Sequence, residues 1–304
     1  WHAAHLLDEV DRWKHEHRAP VAGARNIEGE WRLEGPTNIG GRFNFIRQHP
    51  DDPVTLFAGS SAGGLWKGSN SGTWQPLTEH FPAMAMGDLA FYPGNPDRIF
   101  LATGDPQISS FPRIGNGIYR SLDGGGSWEN MGLDSMGVIS KLLFVPGLDG
   151  AAPVLFAGAM GNPAQPNAYR GLFRSADAGG NWEQVLLPND SAGVTDLLYD
   201  PDTEAIYAAA WQRTRNSTAS EVWGPHCRIW KSVDNGTNWQ ALPNPWGQGE
   251  RGRIGLAHSS QGVYALVVGQ DSQLDNLYRT TDGGETWSAV IPEENIPENA
   301  LGGF

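Results

Sequence analysis

The 304-residue chain has a single cysteine, Cys227, so it can form neither an internal disulfide nor a cysteine-based zinc site. No apolar run approaches the roughly 20 residues that a membrane-spanning helix needs. Positive charge is scarce as well: 21 Lys and Arg stand against 34 Asp and Glu. The resulting net charge of -13 speaks against a protein that tracks a phosphate backbone. Charged residues of both signs reach only 18%. Against these shortages stand 40 Gly, 21 Pro and 13 Trp. Gly and Pro disfavour helix interiors, which argues against a helical bundle or coiled coil. Hydrophobic residues at 39% are too many for a disordered chain. Composition leaves an acidic, turn-rich β protein.

Internal repetition decides the fold. Four segments fit Ser/Thr-x-Asp-x-Gly-x-x-Trp: residues 121–128, 175–182, 232–239 and 280–287. A fifth, Gly68-Ser-Asn-Ser-Gly-Thr-Trp74, is one residue short. Their tryptophans step by 54, 54, 57 and 48 residues. Each motif follows short apolar runs such as Leu155-Phe-Ala-Gly158 and Gly171-Leu-Phe-Arg174. β-Branched and aromatic runs bounded by Gly, Pro and Asn read as strands. Four strands per roughly 50 residues, repeated, predict an all-β, β-propeller fold of four-stranded antiparallel blades. Five blades are visible. In each motif Ser and Asp can accept backbone N–H bonds while Gly supplies positive φ. The following tryptophan can bury its ring between blades. Asp123, Trp128, Asp177, Trp182, Asp234, Trp239, Asp282 and Trp287 are therefore expected to be structural.

These residues resemble the Asp-box (BNR) repeat of sialidases, xyloglucan-hydrolysing propellers, sortilin-type receptors and plant photosystem assembly factors. The resemblance covers residues 31–291 and is specific for fold rather than activity. Trp31-Arg-Leu-Glu-Gly-Pro-Thr-Asn-Ile-Gly-Gly-Arg42, Ala102-Thr-Gly-Asp105, Ala209-Ala-Trp-Gln-Arg213 and Gly252-Arg-Ile-Gly-Leu256 look like large secreted bacterial proteins with sortilin-like propellers. Those are often labelled glycosyl hydrolases. The resemblance implies a secreted or cell-surface binding or scaffold module that recognises a protein or glycan.

Residues 1–30 are expected to form a separate N-terminal helix and linker, since Leu6, Val10 and Trp13 share one helical face. The propeller is assigned to residues 31–304. Trp31 opens an outer strand without a blade of its own, and Asn299-Ala-Leu-Gly-Gly-Phe304 echoes Asn38-Ile-Gly-Gly-Arg-Phe43. Further blades, or a partner chain, are expected to complete the ring, because an open one exposes sheet edges.

Candidate chemistry falls in two places. The inner strands are read as bringing Arg42, Asp88, Lys141, Asp196 and Arg253 to the channel, and paired carboxylates near a cation suit glycoside hydrolysis. Asp88, Asp105 and Asp196 are the acid and base candidates. The xyloglucanase likeness is imperfect, since those relatives carry an aspartate where Ser61 or Ala62 stands, and neither replaces a carboxylate base. A sialidase-like arginine clamp would need Arg42, Arg113 and Arg253 to converge. The second place is a pair of long loops, residues 104–115 and 212–226, of a length that commonly binds something. Trp211, Trp223 and Trp246 lie outside the repeat, and their faces suit a sugar ring or a protein hot spot. Arg42, Lys141, Trp211, Trp223 and Arg253 are the expected binding residues. The histidines show no metal spacing, and no cofactor, metal, nucleic acid or membrane insertion is expected. Asn189, Asn216 and Asn235 open glycosylation triplets that matter only in a eukaryotic secretory setting. Cys227 reads as a buried small residue. The competing readings are a glycoside hydrolase and an assembly factor for a membrane complex.

Overall fold

The computed structural model describes residues 41–296, apart from 70, 71 and 110. The expected N-terminal helix, Trp31 and the 299–304 echo lie outside the described residues. Five four-stranded antiparallel sheets follow one another, each a simple meander. Blade I holds Phe43–His49, Asp52–Ser60, Leu65–Ser69 and Trp74–Pro76. Blade II holds Met86–Tyr92, Asn95–Thr103, Ile118–Ser121 and Glu129–Asn130. Blade III holds Val138–Val145, Val154–Gly161, Gly171–Ser175 and Glu183–Leu186. Blade IV holds Ala192–Asp200, Ala205–Gln212, Ile229–Ser232 and Gln240–Ala241, and blade V Ile254–Ser259, Gly262–Val268, Leu274–Thr280 and Ser288–Ala289. A small extra hairpin, Thr214–Arg215 with Ser220–Glu221, stands in the long loop of blade IV. The inner strand of each blade packs against that of the next, from I through to V.

Four hydrophobic cores fill the four contacts between successive blades. Phe57, Leu65, Leu89 and Ile99 join I to II, and Phe100, Ile118, Ile139 and Phe173 join II to III. Phe156, Leu172, Val194 and Ile206 join III to IV, and Tyr207, Ile229, Ile254 and Ala265 join IV to V. The second strands of blades III and IV are covered on both faces, which explains their unbroken apolar runs. Blade I differs: Phe43, Ile46, Val54 and Trp74 are exposed.

The repeated motif forms the same turn in blades II to V. In blade II the Ser121 hydroxyl donates to Asp123 Oδ1 at 2.7 Å, and Gly125 N donates to Ser121 Oγ at 2.8 Å. Asp123 also accepts from Ser127 N at 2.8 Å. Ser175, Asp177, Gly179 and Asn181 repeat this network, as do Ser232, Asp234, Gly236 and Asn238 and then Thr280, Asp282, Gly284 and Thr286. Gly236 has φ of +79°, and a Cβ there would meet the Phe156 ring of the preceding blade at 2.3 Å. The motif is thus a fastener between blades as well as a hairpin. Trp128, Trp182, Trp239 and Trp287 each pack against the core shared with the blade before them.

These bonds favour the ionised carboxylates. The Ser127 backbone N–H holds Asp123 down to about 2, and the Asn181 side chain leads the bonds that hold Asp177 down to about 2. Groups with depressed folded values stabilise the fold fully above the unfolded value near 3.8 and lose that contribution as pH falls towards 2. The thermal midpoint should therefore drop steeply across this interval, and Asp177→Asn should make the drop shallower. A midpoint independent of pH between 4 and 2 would contradict this assignment.

Candidate functional site

The inner strands of blades I to IV carry a shared irregularity. Pairing with the second strand slips between Phe43 and Phe45, between Met86 and Asp88, and between Val194 and Asp196. In blade III it slips opposite Lys141 and Ile139. The skipped residues are Asn44, Gly87, Ser140 and Thr195, and each is a β-bulge that re-aims its neighbour. Asn44 Nδ2 donates to Met86 O of the next blade at 2.9 Å, and the Ser140 hydroxyl donates to Val194 O. At Gly87 a Cβ would collide with Ile139 O of the next blade, so only glycine fits there.

The residue after each bulge reaches the following blade. Asp88, 2% exposed, accepts from Arg47 Nη2 at 2.6 Å and from Leu142 N at 3.1 Å. Lys141 Nζ stands 3.0 Å from Asp196 Oδ1, and Asp196 Oδ2 accepts from Leu256 N at 2.8 Å. The alternating charges read as a channel lining are thus a set of ties running I–II–III and III–IV–V. Arg47, not Arg42, is the cation beside Asp88; Arg42 is exposed and precedes the first strand. Each of the two carboxylates, Asp88 and Asp196, is held by a cation and by a main-chain N–H.

The connections between second and third strands leave every blade on one face, and there they interlock. Asp105 is buried and organises a turn in which its Oδ1 accepts from Gln107 N. Ile108, at φ +46°, is a β-branched residue in a region such residues rarely occupy. Its side chain is buried with Val138, Met160, Trp211 and Cys227, a fifth core that crosses blades II, III and IV. Its carbonyl accepts from Arg213 Nη2 at 2.9 Å. Gln107 accepts from Arg253, which precedes the inner strand of blade V.

Trp211 is 6% exposed; its Nε1 donates to Val222 O at 2.8 Å, and the guanidinium groups of Arg213 and Arg253 stand 5.5 and 5.4 Å from its ring. It belongs to the support of the face, not to its surface. Trp246 packs partly buried against the core of blades IV and V. Cys227 is buried, which pushes its thiol up to about 12.

Two buried arginines knit the loops. Arg170 is fully buried, and its Nη1 donates to Ser191 O and Arg213 O, both at 3.0 Å. Arg213 donates through Nη1 to Thr214 O and Glu221 O at 2.9 and 2.8 Å. Among the described residues neither has a carboxylate within 4.0 Å. Burial pushes both guanidiniums down to about 10, leaving them charged at neutral pH. Carbonyl oxygens meet both guanidiniums directly, and the Asp190 charge favours that of Arg170 from further away. Arg215 N and Asn216 Nδ2 donate to Pro163 O and Ala164 O, tying the long loop of blade IV to that of blade III.

On this fixed base three aromatic side chains face solvent: Phe111 (83% exposed) from blade II, Tyr169 (51%) from blade III and Trp223 (40%) from blade IV. Ile114 is exposed beside Phe111 in sequence. Of the residues singled out from sequence, only Trp223 belongs to this set. Phe111 and Tyr169 were legible only as members of second-to-third-strand loops.

A BNR/Asp-box repeat is matched at residues 278–289, the turn of blade V. The chain carries Asp-box turns on a β-propeller fold. A xyloglucanase of Paenibacillus sp is 28% identical to this propeller over 253 residues, 77% of this chain and 20% of the relative. The propeller thus spans about a fifth of that enzyme's length. An ancestral GH74 enzyme superposes on 82% of this chain and 33% of its own, with a TM-score of 0.56 at 16% identity. Ycf48 bound to a D1 peptide superposes on 84% of this chain and 70% of its own, with a TM-score of 0.52 at 18% identity. At these identities the structural likeness concerns the fold. Among the described residues of the propeller no helix is long and apolar enough to cross a membrane.

Proposed function

We propose that the protein is a binding or scaffold module of the sortilin-like propeller type, acting outside the cell, that takes a protein or glycan on the face carrying Phe111, Tyr169 and Trp223. The observation that carries this reading is a set of exposed aromatics on loops fixed from beneath by Arg170, Arg213 and Ile108. Rigid aromatic faces give large contact area at little entropic cost, for a sugar ring or for a peptide side chain. The remaining channel-side candidates, Lys141 and Arg253, are engaged with Asp196 and Gln107 and act in support. Further blades, or a partner, are proposed to cover the exposed apolar residues of blade I.

The competing reading is glycoside hydrolysis of the kind named for the xyloglucanase relative, with acid and base among Asp88, Asp105 and Asp196. It is the weaker one because Asp88 and Asp196 are each occupied by a neighbouring blade. Assembly of a membrane complex is the third, suggested by the 23% identity over 188 residues to the photosystem II assembly protein Ycf48 of Thermosynechococcus vestitus. A glycan array, a peptide array and turnover assays on xyloglucan and sialyl-lactose distinguish the three. Phe111→Ala and Trp223→Ala are each expected to weaken the retained ligand by about tenfold or more, with the unfolding midpoint unchanged. Turnover of xyloglucan that Asp196→Asn abolishes in a folded protein would replace the binding reading with the enzymatic one.

A further inference from the structure

On the face opposite the aromatic loops, the turn from inner to second strand in blade IV meets the inner strand of blade V. Asp200 closes the inner strand of blade IV, Asp202 lies two residues further in the turn, and His258 lies near the end of the inner strand of blade V. His258 Nε2 stands 3.3 Å from Asp200 Oδ1 and 3.2 Å from Asp202 Oδ2, and the three ligand atoms lie within 4.8 Å of one another. We propose that Asp200, Asp202 and His258 bind a divalent cation of the zinc class, which ties blade IV to blade V.

The geometry fits the donors. An ion about 2.0–2.1 Å from each of two ligands in a tetrahedral arrangement places those ligand atoms roughly 3.3 Å apart. One imidazole nitrogen offers one hydrogen or one lone pair, so it can satisfy only one carboxylate directly. Its contact with Asp202 has hydrogen-bond geometry, whereas Asp200 faces the same nitrogen as an ion pair only. A cation shared by all three resolves that conflict. The turn also fixes its first ligand in advance: Asp200 Oδ1 accepts from Asp202 N at 2.9 Å, and its Oδ2 accepts from the Thr203 hydroxyl at 2.7 Å. The Asp202 side chain is 72% exposed, which gives an ion a route in and leaves room for water as a fourth ligand. Imidazole with carboxylates suits zinc, whereas magnesium and calcium prefer oxygen alone.

The full chain is stripped with a chelator, desalted and titrated with zinc chloride, and in parallel with calcium chloride. Wild type is expected to bind one more equivalent of zinc than Asp202→Asn or His258→Gln, a comparison that separates this site from His2, His5, His15 and His17. Its unfolding midpoint is expected to rise by about 5 °C at a hundredfold excess over Kd. Asp202→Asn alters a mostly exposed side chain and keeps the test valid if His258→Gln loosens the blade contact. Cobalt in place of zinc should give the visible bands of a four-coordinate site in wild type alone. Equal zinc stoichiometry in wild type and Asp202→Asn, or calcium bound in preference to zinc, would overturn the assignment.

Discussion

Replacing Asp88 by alanine is expected to lower stability by about 2 kcal/mol, read as a fall in the denaturant midpoint with an unchanged slope. The side chain is buried, and its loss strands two donors at once: the Arg47 guanidinium at 2.6 Å and the Leu142 amide at 3.1 Å. The buried Leu142 amide would be left unpaired, which carries most of the cost, whereas the Arg47 side chain, 37% exposed, can turn to water. Asp88→Asn keeps an acceptor for one donor and should lose about half as much. The two substitutions also separate structure from catalysis. A carboxylate serving as a catalytic acid or base would show its loss in turnover, with Asn as damaging as Ala and the fold untouched. A graded loss of stability, Ala beyond Asn, marks a tie between blades.

Arg213→Ala is expected to cost about 3 kcal/mol and to free the loop of residues 104–115. Three main-chain carbonyls, of Ile108, Thr214 and Glu221, lose their donor. Charged hydrogen bonds contribute about 1.5–3 kcal/mol each, and the desolvation of the guanidinium offsets part of the sum. Ile108 is kept in its unfavourable backbone conformation by this contact and by its burial against Trp211. Amide exchange should therefore rise through residues 105–109 in the variant, while the inner strands of blades II and III stay protected. Ligand retention should fall with it, because Phe111 follows the same loop. Arg213→Lys restores the charge but not the fork that spans several carbonyls, and should recover only a minor part.

How much of this was readable in the sequence depends on how far apart the partners lie. The Ser–Asp–Gly network closes within four residues, so the turn, its recurrence and the blades could be read directly from residues 121–128 and their echoes. The role of Trp128, Trp182, Trp239 and Trp287 followed from the same phase. The face was harder. Trp211 looked like a ligand platform because it broke the repeat, yet Ile108 arrives from 103 positions earlier in the chain to bury it. Arg42 reads in the sequence as an inner-strand residue, yet it precedes Phe43–His49, and the basic residue of that strand that meets Asp88 is Arg47. Bulges at Gly87, Ser140 and Thr195 change the aim of Asp88, Lys141 and Asp196, and no local pattern announces them. His258 and Asp202 are 56 residues apart, so no spacing rule for metal ligands could have joined them.

The fasteners on the flanks of the blades run both ways along the chain. Gly236 seats on Phe156 and Trp182 donates to Met131 O of the blade before, whereas Lys231 reaches Gly283 O and Asp196 takes Leu256 N of the blade after. A newly made blade emerging from the ribosome therefore completes the one before it and leaves groups of its own for the next to satisfy. Assembly gains a vectorial character, and the growing edge carries the unsatisfied surface at every stage until it is capped.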